Sequence, residues 1–357
     1  MTPNGLALLE QAAREQKYLE GWRIFYHPVA TVAEVDAART DEMGRQAPLG
    51  VELLGQRLVV ARLNGEIVTM NGTCPHRSTS LARGWVNESC SGVICRYHGF
   101  DWRYDGKVGA IPALEIEGHK LPEGDIWQIK TFPTVVRGGL VWVSLSDNPI
   151  FPVIEIPEED DPTFVFCPIS QQNWEAGIGR MVEAALDNYH FAFTHQSTGL
   201  GHPSNPRAPK ATVKVEDGYL TIDYVIDQPV NETTSSLERI KQGGFEPVHY
   251  QMWARPNAVR LLKTSSIGRY TIVVGTDPIA PLKSRFYRLL YRDFRTDEPH
   301  SIWYDLEERI NAEDKFVVES MRPWELTVDL DAELQMVMDR PTVNYRKWLA
   351  ELGLEFL

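Results

Sequence analysis

Two short segments carry the residue types best suited to hold a redox metal: Thr73-Cys74-Pro75-His76-Arg77 and Ile94-Cys95-Arg96-Tyr97-His98-Gly99. The first is C-x-H, the second C-x-x-H, with eighteen residues between His76 and Cys95. Zinc knuckles usually group two Cys in one loop and two His in the other. Here each loop is mixed. Mixed loops can straddle a two-iron cluster so that one iron takes both thiolates and the other both imidazoles, and neutral imidazoles raise the reduction potential above that of an all-Cys cluster. A zinc-stapled scaffold is the competing reading.

A second constellation lies in Asp187-Asn188-Tyr189-His190-Phe191-Ala192-Phe193-Thr194-His195, a D-x-x-H-x-x-x-x-H. On a regular helix Asp187 and His190 share a face, whereas His190 and His195 point about 140° apart. Joint metal binding therefore needs the helix to end or bulge after His190. Two His and one carboxylate, leaving open positions, form the ligand set of non-haem Fe(II) oxygenases. The carboxylate must come from farther along. Ile302, Leu306, Ile310, Val317 and Met321 make one apolar helical stripe, with Asp314 on it and Glu313 near its other edge. A carboxylate on a buried stripe needs a partner, which a metal or a cation such as Arg309 or Lys315 could supply.

The surrounding patterns say what holds these segments. Residues Leu6 to Tyr18 read as a short amphipathic helix through Leu6, Leu9, Ala13 and Tyr18. Turn signals at Asn64-Gly65, Asp105-Gly106 and Gly138-Gly139, each between strand-like runs, make residues 45–150 an all-β module whose loops carry the Cys/His pairs. The stretch Asp147 to Pro168, rich in proline and acidic residues, reads as a connector. Six strand-like runs follow between Thr212 and Tyr291, bracketed by helical patterns at Glu175 to His195 and Ile302 to Met321. The expected fold is α+β. Residues 1–44 lead in, 45–150 form the β module, and 151–357 form a second domain with an antiparallel sheet and flanking helices.

The chain of 357 residues is 43% hydrophobic and 24% charged, with net charge −13 from 36 basic and 49 acidic residues. That charge argues against nucleic acid or an anionic membrane as partner. No apolar run reaches the ~20 residues a membrane helix needs, and no secretory signal is visible, so a cytoplasmic location is expected. Cys90 and Cys167 read as free thiols with packing roles. Of the other histidines, only His202 and His249 are candidates for a place near a substrate. There is no dinucleotide fingerprint and no reductase segment.

The first motif, with Pro75, Arg77, Tyr97, Gly99 and Trp102, resembles the Rieske [2Fe–2S] family. The three motifs together, the last being Ala312-Glu313-Asp314-Lys315-Phe316-Val317-Val318-Glu319, resemble the oxygenase component of Rieske non-haem iron oxygenases. The opening Phe25-Tyr26-His27-Pro28-Val29 and the closing Asp339-Arg340-Pro341 … Tyr345-Arg346-Lys347-Trp348-Leu349 are similar to the caffeine N-demethylase, dicamba and vanillate O-demethylase group. The resemblance implies a helix-grip-like catalytic domain, Cys74, His76, Cys95 and His98 on the cluster, and Fe(II) on His190, His195 and Asp314. It also implies O2 as co-substrate, a separate NAD(P)H-dependent reductase and a head-to-tail homotrimer. In that trimer Asp187 would bridge His190 to His98 of the neighbouring subunit. Many relatives carry Asn three or four residues before that Asp, where this chain has Ala184 and Glu183. The implied reaction is monooxygenation of a small aromatic or heterocyclic substrate, by demethylation or hydroxylation. A ring dihydroxylase and a Rieske electron carrier without oxygenase activity are the alternatives.

Overall fold

A computed structural model describes residues 3–37, 40–206, 208–280 and 282–354, with the backbone alone for 3–11. The chain divides into two compact units, residues 23–153 and residues 1–22 with 154–357.

The unit 23–153 is built from three antiparallel sheets. In the largest ladder Gln56–Leu63 pairs with Glu66–Asn71, and Leu63 opposes Glu66 across Asn64-Gly65. Both turn residues have positive φ, 50° and 85°, the mirror-image turn that matches strand twist. Gly138-Gly139 does the same between Thr134–Arg137 and Leu140–Val143. A four-stranded sheet, Trp85–Val86, Gly92–Ile94, Asp101–Arg103 and Val108–Ala110, supports the second Cys/His loop. Residues 23–44, expected as part of a lead-in, belong to this unit: His27–Thr31 pairs with Leu140–Val143.

The other unit is a seven-stranded antiparallel sheet with helices. All six expected strands are present, running from Thr212–Glu216 to Lys283–Arg292. A seventh was not expected. Val165–Trp174 forms the sheet edge against Lys283–Arg292, and its register shifts between Cys167 and Ser170, at Pro168. Proline cannot donate to a ladder and is tolerated at an edge bulge, which is why a proline-rich run reads as connector. Cys167 is buried beside Tyr270, Leu290 and Trp303, whereas Cys90 is exposed.

The first helix, Pro3–Trp22, packs with this second unit, burying Tyr18 and Trp22; Tyr18 Oη accepts from the Ile178 N–H at 3.3 Å. Ala13 is exposed, and the Leu6 and Leu9 side chains lie outside the described residues. The helix His300–Val318 buries Trp303, Leu306, Glu307, Ile310, Asn311 and Val318. Its buried stripe is thus turned from the one expected, because Ile302 and Val317 are 44% and 37% exposed. Asp314 lies on the true stripe, four after Ile310 and four before Val318. Among the described residues no helix is long and apolar enough to cross a membrane.

Candidate active site

The two Cys/His loops have the same backbone wiring. The Cys74 N–H donates to Thr79 O at 2.9 Å while Cys74 O accepts from the Ser78 N–H at 2.9 Å. In the other loop the Cys95 N–H donates to Phe100 O at 2.8 Å and Cys95 O accepts from the Gly99 N–H at 3.0 Å. The fourth residue after each cysteine is left-handed, with φ 55° at Ser78 and 75° at Gly99. A Cβ at Gly99 would meet the Pro112 ring at 3.0 Å, so this position suits glycine twice over. Both cysteines are buried among Trp102, Phe100 and Leu81, and both histidines are exposed. The His76 and His98 rings lie 4.6 Å apart. Burial, with Cys95 close by, pushes the Cys74 thiol above its ordinary range. Desolvation and the neighbouring His98 and Arg77 hold His76 below the usual imidazole value, the neutral form a metal requires. Sulfurs inside and imidazoles outside fit a two-iron cluster with its histidine-bound iron toward solvent.

The helix Ile178–Leu186 ends before the second motif. Asp187 is its C-cap, with extended backbone (φ −71°, ψ 132°), so Asp187 and His190 do not share a helix face as the spacing suggests. They meet through a turn. Asp187 Oδ1 accepts from the N–H groups of Tyr189 at 2.6 Å and His190 at 3.0 Å and lies 3.2 Å from His190 Nδ1. Asp and Asn favour such turns because the side chain can bond its own downstream backbone. Despite burial, the bonds from His190 and Tyr189 hold the Asp187 carboxyl below its ordinary range. A four-residue helix, Phe191–Thr194, then carries the chain to His195.

The break brings both imidazoles to one point. His190 Nε2 and His195 Nε2 are 3.1 Å apart, and Asp314 Oδ1 lies 3.1 Å from the latter and 3.5 Å from the former. Three donors on one face of a metal, with bonds of about 2.1 Å at right angles, stand about 3 Å from one another. The triplet fits that geometry, and Glu313 is not part of it. Glu313 instead takes the other side of His195, with Oε2 2.9 Å from Nδ1 and 3.0 Å from Thr198 Oγ1, while Ser197 Oγ donates to Oε1. Burial disfavours charge on His195, but Asp314 and Glu313 outweigh it and raise its pKa above the usual value. Two imidazoles among three carboxylates suit a divalent cation. Arg309 and Lys315 do not claim Asp314; Lys315 donates to Asn173 O at 2.7 Å.

His190, His195 and Asp314 line a cavity of about 880 Å³ including its open mouth. Its walls are the inner faces of the sheet, chiefly Val259, Leu261, Ile272, Val274 and Phe286, and Leu200 from the loop after His195. Polar groups at the wall are Tyr250, Lys263, Tyr270, Glu307 and Asn311. None was expected. Lys263 had a signal, because Val259, Leu261 and Lys263 alternate on one face of a strand and place a cation where an apolar residue belongs. His202 and His249 are not on this wall; the first bonds Ser204 at 2.7 Å, the second Asp223 at 3.0 Å. The departure at Glu183 and Ala184 is also explained. Glu183 pairs with Arg346 at 2.6 Å and Arg180 at 3.4 Å, and Ala184 faces the cavity.

Residues 33–133 match the Rieske [2Fe-2S] domain, and residues 174–355 match the vanillate O-demethylase oxygenase C-terminal domain. The methylxanthine N1-demethylase NdmA of Pseudomonas putida is 31% identical over 95% of this chain and 90% of its own length. The chain belongs to the Rieske non-haem iron oxygenases. The N3-demethylase NdmB of the same organism is 30% identical, over 97% of this chain and 93% of that protein. The crystal structure of Pseudomonas putida NdmA with caffeine superposes with TM-score 0.79 at 27% identity, covering 94% of this chain and 92% of that one. As a Rieske oxygenase the chain is an oxidoreductase that uses a [2Fe–2S] cluster, mononuclear iron, O2 and NAD(P)H through a separate reductase. The expected α+β fold, an all-β Rieske module followed by an antiparallel catalytic sheet with helices, is the observed one.

Proposed function

We propose that this chain is a demethylase that removes a methyl group from oxygen or nitrogen of a small aromatic or heterocyclic substrate. Cys74, His76, Cys95 and His98 hold the cluster, and His190, His195 and Asp314 hold the iron. The observation that carries the reading is the convergence of His190, His195 and Asp314, with ligand atoms 3.1–3.5 Å apart, on the wall of a largely apolar cavity. Two relatives that align over almost their whole length are N-demethylases, which supports demethylation over ring dihydroxylation. Iron held by His190, His195 and Asp314 would supply oxygen activation, and a cluster held by Cys74, His76, Cys95 and His98 would supply electrons.

The chain's own residues set the stage. Glu313 orients His195 through Nδ1, and Asp187 orients His190 in the same way, so both rings present Nε2. Apolar walls exclude water and place the methyl carbon near the site. One oxygen atom enters the C–H bond beside the heteroatom, the other leaves as water with two electrons and two protons, and the hemiacetal or hemiaminal collapses to formaldehyde. The exposed imidazoles of His76 and His98 support a head-to-tail trimer in which Asp187 of one subunit meets a cluster histidine of the next.

Metal analysis with EPR of the reduced protein, followed by a formaldehyde screen of methoxyaromatics and N-methyl heterocycles against unmethylated analogues, tests the reading. A Rieske signal, one further iron per chain and formaldehyde from a methylated compound are expected. A Rieske signal without mononuclear iron would instead make the protein an electron carrier.

A further inference from the structure

We infer that the substrate is an aromatic acid whose carboxylate binds Lys263 and Asn311 on the cavity wall. The inference rests on the demethylase reading and narrows its substrate class.

The helix His300–Val318 provides a ruler. Asp314, Asn311 and Glu307 lie three and seven residues apart on the cavity side, placing Asn311 roughly 4.5 Å and Glu307 roughly 10.5 Å along the axis from the metal ligand. The sheet presents a row across three strands, Tyr250 opposite Lys263 and Lys263 opposite Tyr270. The Lys263 Nζ lies 5.9 Å from each of the two ring centres.

Lys263 is the one cation among the described residues of the wall, and it is 4% exposed. Its bond to the Thr233 hydroxyl, 2.5 Å, uses one of three ammonium donors, and that hydroxyl donates onward to Asn231 Oδ1 at 2.8 Å. Among the described residues no carboxylate lies within ion-pair distance of Lys263. Glu307, the nearby candidate, is engaged otherwise: the Tyr270 hydroxyl donates to Oε1 at 2.8 Å and Arg288 lies 3.9 Å from Oε2. Asn311, 6% exposed, has an amide nitrogen with no partner among the described residues. Two buried donors on the cavity wall therefore call for an acceptor, and burial without a paired counter-charge lowers the Lys263 pKa to about 7, a cost that a bound anion would relieve. A carboxylate satisfies both. An uncharged heterocycle leaves the lysine unpaired.

The test is calorimetric titration of the anaerobic holoenzyme with 4-methoxybenzoate, 3-methoxybenzoate and 4-(methylamino)benzoate, each beside its primary amide. Wild type should bind at least one acid about tenfold or more tighter than its amide, and Lys263→Met should bring the ratio within about twofold. Iron content and circular dichroism of the variant report its integrity, and Asn311→Leu, which should weaken acid binding severalfold, is the second variant should the first not fold. Amides binding as tightly as acids, no acid binding at all, or an undiminished ratio in Lys263→Met would each overturn the inference. Formaldehyde release is scored separately: acid preference without formaldehyde refutes demethylation alone, and formaldehyde from a neutral compound without acid preference refutes the carboxylate alone.

Discussion

Glu313 Oε2 lies 2.9 Å from Nδ1 of His195, across the ring from the nitrogen that faces Asp314. Two consecutive carboxylates thus serve one imidazole, the first orienting it and the second standing beside it at the metal position. Such outer carboxylates fix the ring's tautomer and raise its basicity. Glu313→Gln keeps the shape but removes the charge. Its affinity for mononuclear iron should fall about 10–100-fold while the cluster's EPR signal is unchanged. Iron retention measured against a graded chelator checks this, and wild-type retention would refute the assignment.

Asp187 does two jobs, and one variant separates them. Alanine would remove the acceptor of the Tyr189 and His190 N–H groups as well as the charge. Asp187→Asn can keep the backbone bonds. We expect Asp187→Asn to retain both metals and to reduce its cluster normally, yet to lose turnover. Single-turnover assays on the pre-reduced enzyme report the step; full product formation would remove Asp187 from the electron path.

Arg346 lies between Glu183 and Glu333, at 2.6 Å from each, and Arg180 contacts both carboxylates from the other side. Arg346 and Arg180 are almost wholly buried. Removing one member of a buried network leaves an uncompensated charge, which costs about 3–5 kcal/mol. Arg346→Ala should therefore melt well below wild type, and a second change, Glu183→Leu, should recover much of the loss. Two independent, additive losses in the double variant would argue against the coupling.

Glu325 gives the stability a pH dependence. Burial raises its pKa to about 8, against the opposing influences of the Tyr18 hydroxyl and Arg180. A folded value above the unfolded 4.5 means that the native state holds a proton the unfolded chain has lost. The contribution is complete below pH 4.5 and declines as pH rises toward 8, with a slope of at most about 1.4 kcal/mol per unit. Glu325→Gln should flatten the loss of stability between pH 5 and 8, and denaturant titrations at both pH values measure it. An unchanged slope would show that Glu325 is ionised in the native protein.

Much of the site was legible because ligand chemistry leaves short, typed patterns. Cys74, His76, Cys95 and His98 sit in local knuckles whose spacing follows from the turn itself. Asp187, His190 and His195 were visible as a cluster, but spacing alone implied a continuous helix, and the turn made by the Asp187 side chain is a competing local bond that periodicity does not weigh. Periodicity preferred Asp314 over Glu313 only slightly. They separate only when the rotation of their helix is known, and exposure of Ile302 and Val317 shows how easily that rotation is misjudged. Lys263 and Asn311 lie on elements distant in sequence, so the cavity they share follows from sheet register. The strand Val165–Trp174 was hidden by its proline, which an edge position tolerates.

The connectivity of the two units bears on biosynthesis. The segment 23–153 is contiguous and can fold once it has left the ribosome, whereas Tyr18 precedes it and bonds Ile178, which emerges more than a hundred positions later. Until then the first helix shows the cell an aromatic face with nothing to cover it, a natural target for chaperones that capture nascent chains. Assembly of the cluster module should accordingly precede closure of the catalytic unit, with the first helix among the last elements to dock.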